Sequence, residues 1–118
     1  MPVTVADLVA APALHLRLHT AGAPVDRPVS WVHVSELADP TPFLEGGELL
    51  LTTGVALRDG TPVAGYVARL VDAGVVGLGF GTGVGRDDVP ADLVAAAEAG
   101  GLAVVEVPRP TPFIALSR

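Results

Sequence analysis

Neither cysteine nor lysine occurs anywhere in this chain, and the two absences remove whole classes of chemistry. Without a thiol there is no disulfide, no cysteine nucleophile and no thiolate metal site. Without lysine there is no Walker A phosphate loop and no Schiff-base amine. Aromatic residues are scarce, at three Phe, one Tyr and one Trp, so Leu, Val and Ala must fill the core. Small aliphatic packing of this kind suits helices laid on a sheet. Positive charge is scarce too. Seven arginines stand singly against thirteen acidic residues, for a formal net charge of −6, whereas affinity for a phosphate backbone depends on clustered cations. Direct nucleic acid binding by this domain is therefore not expected. No apolar run approaches the ~20 residues that cross a bilayer, and the Met1-Pro2-Val3 start opens no basic, apolar leader. The expected setting is cytoplasmic, away from membranes.

What remains is half hydrophobic and 118 residues long, the length of one domain with its own core. Thr4 before Val5-Ala6-Asp7-Leu8-Val9 reads as a capped helix start, and Pro12 ends that helix. Leu14, Leu16 and Leu18 alternate with His15, Arg17 and His19, which predicts a strand with one wet face. A second strand is expected over Val29 to Val34. A third, Glu48 to Thr53, lacks polar alternation in its middle and should be covered on both faces. Thr61-Pro62 predicts the next helix, with threonine as cap, and its apolar stripe is Val63, Tyr66, Val67, Leu70 and Val71. Strand Val75 to Phe80, a helix from Asp88-Pro90 to Ala99 and strand Leu102 to Val107 complete two crossover units. The fold class that follows is α/β, a mostly parallel sheet with flanking helices. Strand order is not legible at this level. Pro40-Thr41-Pro42-Phe43 recurs as Pro110-Thr111-Pro112-Phe113, and Thr-Pro is best read as a helix-start device. The second copy predicts a helix beginning near Phe113 and a larger protein continuing past Arg118.

The least expected segment runs from Ser35 to Gly47, an acidic, proline-rich loop between two apolar strands. Glu36 and Asp39 could form an acid and base pair, but loop carboxylates more often cap turns, and Asp39 before Pro40-Thr41 fits that role. His33 and Ser35 share a strand face, without any nucleophile motif to make them catalytic. His15 and His19 flank Arg17, whose cation opposes a divalent metal, so a solvated face is the preferred reading and no metal site is assigned. Gly77-Leu78-Gly79-Phe80-Gly81-Thr82-Gly83 misses the dinucleotide fingerprint, because the third glycine falls at the wrong spacing. It is read first as a strand exit and second as a small-ligand cradle, since open parallel sheets bind ligands beyond their carboxyl ends. Thr52-Thr53-Gly54 supplies two hydroxyls at another such end. The candidate ligand-binding set is thus His33, Ser35, Glu36, Thr52, Thr53, Gly54, Gly81 and Thr82, with no catalytic residue and no cofactor.

Several of these stretches together resemble a known family. VTVADLVAAPALHLRL, Trp31-Val32-His33-Val34-Ser35-Glu36-Leu37, Gly46-Gly47-Glu48-Leu49-Leu50-Leu51-Thr52-Thr53-Gly54, Gly79-Phe80-Gly81-Thr82-Gly83 and LAVVEVPRPTPFIALS are similar to the N-terminal domain of PucR-type (purine catabolism regulatory protein-like) transcription factors. The resemblance covers nearly the whole of residues 1–118. It implies a single regulatory domain placed before a middle domain and a helix-turn-helix, serving purine or related catabolism, and no enzyme. It further implies a fold similar to the N-terminal domains of Mur ligases and HPr kinase, where the segment matching Val34-Ser35-Glu36 lies near a nucleotide-sugar site in the Mur enzymes. Two roles follow as expectations: sensing of a small effector such as a purine catabolite, or a structural dimerisation module using Trp31 or the acidic loop. A homo-oligomer is expected in either case. A hydrolase or isomerase built on Glu36 and His33 ranks last.

Overall fold

A computed structural model describes residues 3–58, 60–82 and 88–108. Five strands form one sheet: β1 (Arg17–Leu18), β2 (Trp31–Val34), β3 (Glu48–Thr52), β4 (Gly77–Gly81) and β5 (Ala103–Val107), in the order β1-β5-β4-β3-β2. β2 to β5 are parallel, and β1 joins β5 antiparallel at one edge. The α/β class expected from the sequence is thus the class found. Helices α1 (Val5–Ala10), α2 (Val55–Arg58), α3 (Val63–Asp72) and α4 (Ala91–Gly100) connect and cover the strands.

The chain always steps the same way from β3 through β4 to β5, so two crossovers of one hand must lay both long helices on the same face. There Tyr66, Val67 and Leu70 of α3 and Leu93 and Ala97 of α4 meet Leu50, Leu78, Phe80 and Val104 of the sheet. The opposite face has no helix of its own from these units. It is closed instead by the N-terminal segment, with Val5 over Ala103 and Val105, and Leu16 over Leu49, Leu51 and Val107. β3 and β4 are accordingly buried throughout.

Glycine inside β4 makes this close packing possible. A Cβ at Gly77 would meet Leu49 and Val5 at 3.0 Å, and one at Gly79 would overlap Leu51 Cδ2. The glycines at positions 77 and 79 therefore serve packing in the strand interior, whereas the strand exit expected from the sequence falls on residues outside those described.

Two local expectations fail. The strand predicted over Leu14 to His19 shrinks to Arg17–Leu18, because Pro12 starts a 3₁₀ turn, Pro12–Leu14, whose end leaves His15 left-handed at φ 55°. His15 is therefore not on a strand face with His19, and Leu18 is exposed whereas Leu16 is buried. Thr61 does not cap α3. Pro62 occupies the cap position without a side-chain bond, and the Thr61 amide donates to the Ala56 carbonyl. The short helix α2 was not anticipated. By contrast, Thr4 and Asp7 form the reciprocal cap at the start of α1. The helix expected near Phe113 lies outside the described residues.

Because β4 accepts no side-chain volume at its third residue, Gly79→Ala should lower stability by about 1–3 kcal/mol in urea denaturation. Gly22→Ala, where a Cβ would meet nothing within 4 Å, should change it by less than ~0.5 kcal/mol.

Candidate functional site

Parallel pairing delivers the carboxyl ends of β2 to β5 to one end of the sheet. Just past β2, Glu36 turns its carboxylate across the end of β3. Oε1 accepts the Thr52 hydroxyl at 2.6 Å, and Oε2 accepts the Thr53 hydroxyl at 2.7 Å and the Thr53 amide at 2.8 Å. The Val55 amide, first in α2, reaches Oε1 at 3.4 Å. One side chain thus joins β2, β3 and the start of α2, where a negative charge is favoured by the exposed amides. Burial raises the pKa of Glu36, but its hydrogen bonds to Thr52, Thr53 and Val55 outweigh that and hold it below the ordinary value of 4.5.

The neighbouring groups complete the network. Gly54 takes φ +84°, lets its amide reach Thr52 Oγ1 at 3.1 Å, and sits so close to Phe80 that a Cβ would come within 2.5 Å of the ring. Tyr66 of α3 is buried, which pushes its phenol up to about 12 despite a hydrogen bond with Thr52; the nearby Glu36 charge acts in the same upward direction. Arg58 donates to the Thr53 carbonyl at 2.8 Å. Ser35 is buried, with its amide on Leu51 O and its Oγ accepting the Leu37 amide at 3.2 Å.

A second polar group stands at the same sheet end. Thr82 Oγ1 donates to Glu106 Oε2 at 3.1 Å, and Glu106 Oε1 meets His19 Nε2 at 2.8 Å. Thr52, Phe80 and Glu106 are register partners on β3, β4 and β5, so the Phe80 ring separates this group from Glu36.

The structure therefore brings Ser35, Glu36, Thr52, Thr53 and Gly54 together, and sets Gly81 and Thr82 with Glu106. His33 belongs to neither group. It pairs with Leu50 in register and lines a cavity at the opening of β2. Glu36 and Asp39 do not form an acid and base pair: Asp39 accepts the Thr41 amide at 3.1 Å and the Thr41 hydroxyl, which hold its pKa down. Gly83 to Gly85 lie outside the described residues. Among the described residues there is no group of three metal-ligating side chains, and no helix is long and apolar enough to cross a membrane.

Glu106 and Tyr66 were not singled out as site residues from the sequence, and His19 was weighed only as a metal ligand. Glu106 carried a signal, being the single acidic residue in the apolar run Leu102 to Val107. His19 and Tyr66 carried none, because their partners are distant along the chain.

The profile of the Purine catabolism regulatory protein-like family matches residues 7–118. The chain belongs to that family. It is 30% identical over 117 residues to the transcriptional activator PmfR of Paenarthrobacter nicotinovorans, which is 98% of this chain and 25% of that protein. The chain of this family member thus spans about a quarter of the length of its curated relative. Among solved structures, it is similar in fold to the CBS and DRTGG domains of the regulatory region of Clostridium perfringens pyrophosphatase, a structure complexed with the activator diadenosine tetraphosphate. The TM-score is 0.50 at 12% identity, covering 81% of this chain and 38% of the other.

Replacement of Glu36 by Gln should cost about 1–3 kcal/mol at neutral pH, since hydrogen bonds to a charged acceptor are lost. A depressed folded pKa contributes stability above the unfolded pKa and loses it as pH falls through the folded value. In urea denaturation the gap between parent and Glu36→Gln should therefore be full at neutral pH and close at acid pH, below the lowered Glu36 value.

Proposed function

We propose that this chain is the regulatory domain of a transcription factor, answering a small metabolite by changing how it sits against the domains that follow. The observation that carries the reading is the Glu36 network. A carboxylate without a cationic partner among the described residues holds β2, β3 and α2 together through hydroxyls and amides. A ligand bearing its own donors and acceptors would compete for those bonds and shift α2. Regulation requires such a difference in affinity between two arrangements, since equal binding to both shifts nothing. The proposed seat is Ser35, Glu36, Thr52, Thr53 and Gly54, the strand-end residues that the Glu36 network draws together; Gly81 and Thr82, across the Phe80 ring, and His33, at the opening of β2, leave the set expected from the sequence.

Membership in the purine catabolism regulatory family supports a purine catabolite or related compound as effector. The curated relative is a transcriptional activator, which supports a role in gene control, with DNA read elsewhere in the full regulator because this domain is acidic. The neighbour in fold is a regulatory region with a dinucleotide activator bound, in keeping with sensing, although 12% identity carries only the fold. A non-enzymatic, cytoplasmic role and a homo-oligomer belong to the same proposal.

A second reading has its own support. Trp31 and Val34 on the edge strand β2, and Leu37 just beyond it, are exposed, as a dimerisation edge would be.

Calorimetric titration with a panel of purine catabolites separates the two. Sensing predicts a saturable heat that Ser35→Ala or Thr53→Val abolishes. Concentration-dependent dimerisation in sedimentation, with no heat from any member of the panel, would instead establish the assembly role.

A further inference from the structure

Among the described residues two aromatic side chains escape the core, and both stand at one place. Tyr66 and Phe80 are buried, whereas Trp31 and Phe43 keep 68% and 63% of their surface exposed. Together with Ser30, His33, Glu45 and Glu48 they line a cavity of about 480 Å³ beside the opening of β2. That volume falls within the range of small-molecule sites.

The wall of this cavity is built to keep its shape. Glu48 is buried, and its carboxylate accepts the amides of Glu45 at 2.6 Å and Gly46 at 2.9 Å. Ser30 Oγ donates to the Gly46 carbonyl at 3.1 Å. Gly47, at φ +83°, lies so near Ser30 that a Cβ would come within 2.6 Å of Oγ. The loop is tied to β2 and β3 from both sides, so the rings face a preformed space.

The carboxylates Glu45 and Glu48 line that space beside the His33 imidazole. No arginine lines the cavity, and neither Glu45 nor Glu48 forms an ion pair among the described residues. Each Glu48 oxygen has given one lone pair to a backbone amide and retains another. Aromatic faces attract cations through the ring quadrupole, and nearby carboxylates supply the counter-charge. A phosphate-bearing ligand would meet two carboxylates and no arginine. The net charge of −6 draws cations in the same sense.

We propose that this cavity binds a small organic cation, a substituted ammonium compound, against Trp31 and Phe43 with Glu45 and Glu48 as counter-charges. The site is independent of the strand-end reading, because Glu36, Thr52 and Thr53 do not line it. Either assignment can fail without the other.

Trp31 is the only tryptophan in the chain, so its fluorescence reports on this cavity directly. Benzyltrimethylammonium and choline should each produce a saturable change in the millimolar range or below, and the uncharged carbon analogue of choline should produce none. Phe43→Leu and Glu45→Gln, both at exposed positions, should weaken binding by about fivefold, with an unchanged circular dichroism spectrum as the control for folding. Weakening in either variant supports the site. Absence of saturation with both cations, equal binding of the uncharged analogue, or parent-like affinity in both variants would overturn it.

Discussion

The Glu36 carboxylate closes the carboxyl end of this sheet, and the local structure around it follows from that one group. Its oxygens take hydroxyl and amide donors from Thr52, Thr53 and Val55, which fixes where β2 stops, how β3 turns and where α2 begins. Thr52 in turn meets Tyr66 of α3, so the network reaches from an edge strand into the main core. A partly buried charge is costly unless its hydrogen bonds are made, and here four donors meet it. Gly54 is the backbone condition for this arrangement: its positive φ brings the turn down onto the Phe80 ring.

Topology explains why polar groups gather at this end. Parallel strands align their exits, and the step-by-step order from β3 to β5 places α3 and α4 on one face while the N-terminal segment seals the other. The interior strands can then be apolar in their middles, with their polar residues Glu48, Thr52 and Glu106 at or near the strand ends. Two places carry unusual chemistry: the Glu36 network at one end of β2, and the aromatic cavity near the other. A short edge strand bearing Trp31, His33 and Val34 links them, so an event at the cavity and an event at the network act on the same element.

Much of the fold was legible in the residues. The apolar runs Leu49 to Leu51 and Val104 to Val105 lack alternation because both faces are covered, and the stripe of Tyr66, Val67 and Leu70 marks the buried side of α3. The failures have physical causes. Leu14 to Leu18 alternates like a strand, yet Pro12 imposes a 3₁₀ turn before the chain can extend. α2 is only four residues long, and its start is set by a carboxylate nineteen positions earlier, which no local pattern records. At the site, Glu36, Thr52, Thr53 and Gly54 lie together as expected of strand ends that converge in a parallel sheet. Thr82 was grouped with them although Phe80 stands between, since strand order, and therefore lateral neighbours, cannot be read from one sequence. The cavity was missed for a similar reason: Trp31, Phe43 and Glu48 become neighbours only once the loop folds back over β2.

Amide hydrogen exchange tests the Glu36 network most directly. If the carboxylate holds the end of β3 and the start of α2, the Thr53 and Val55 amides should exchange as slowly as those within β3, although they lie outside its ladder. Exchange at the rate of an exposed loop amide such as Gly22 would contradict the account.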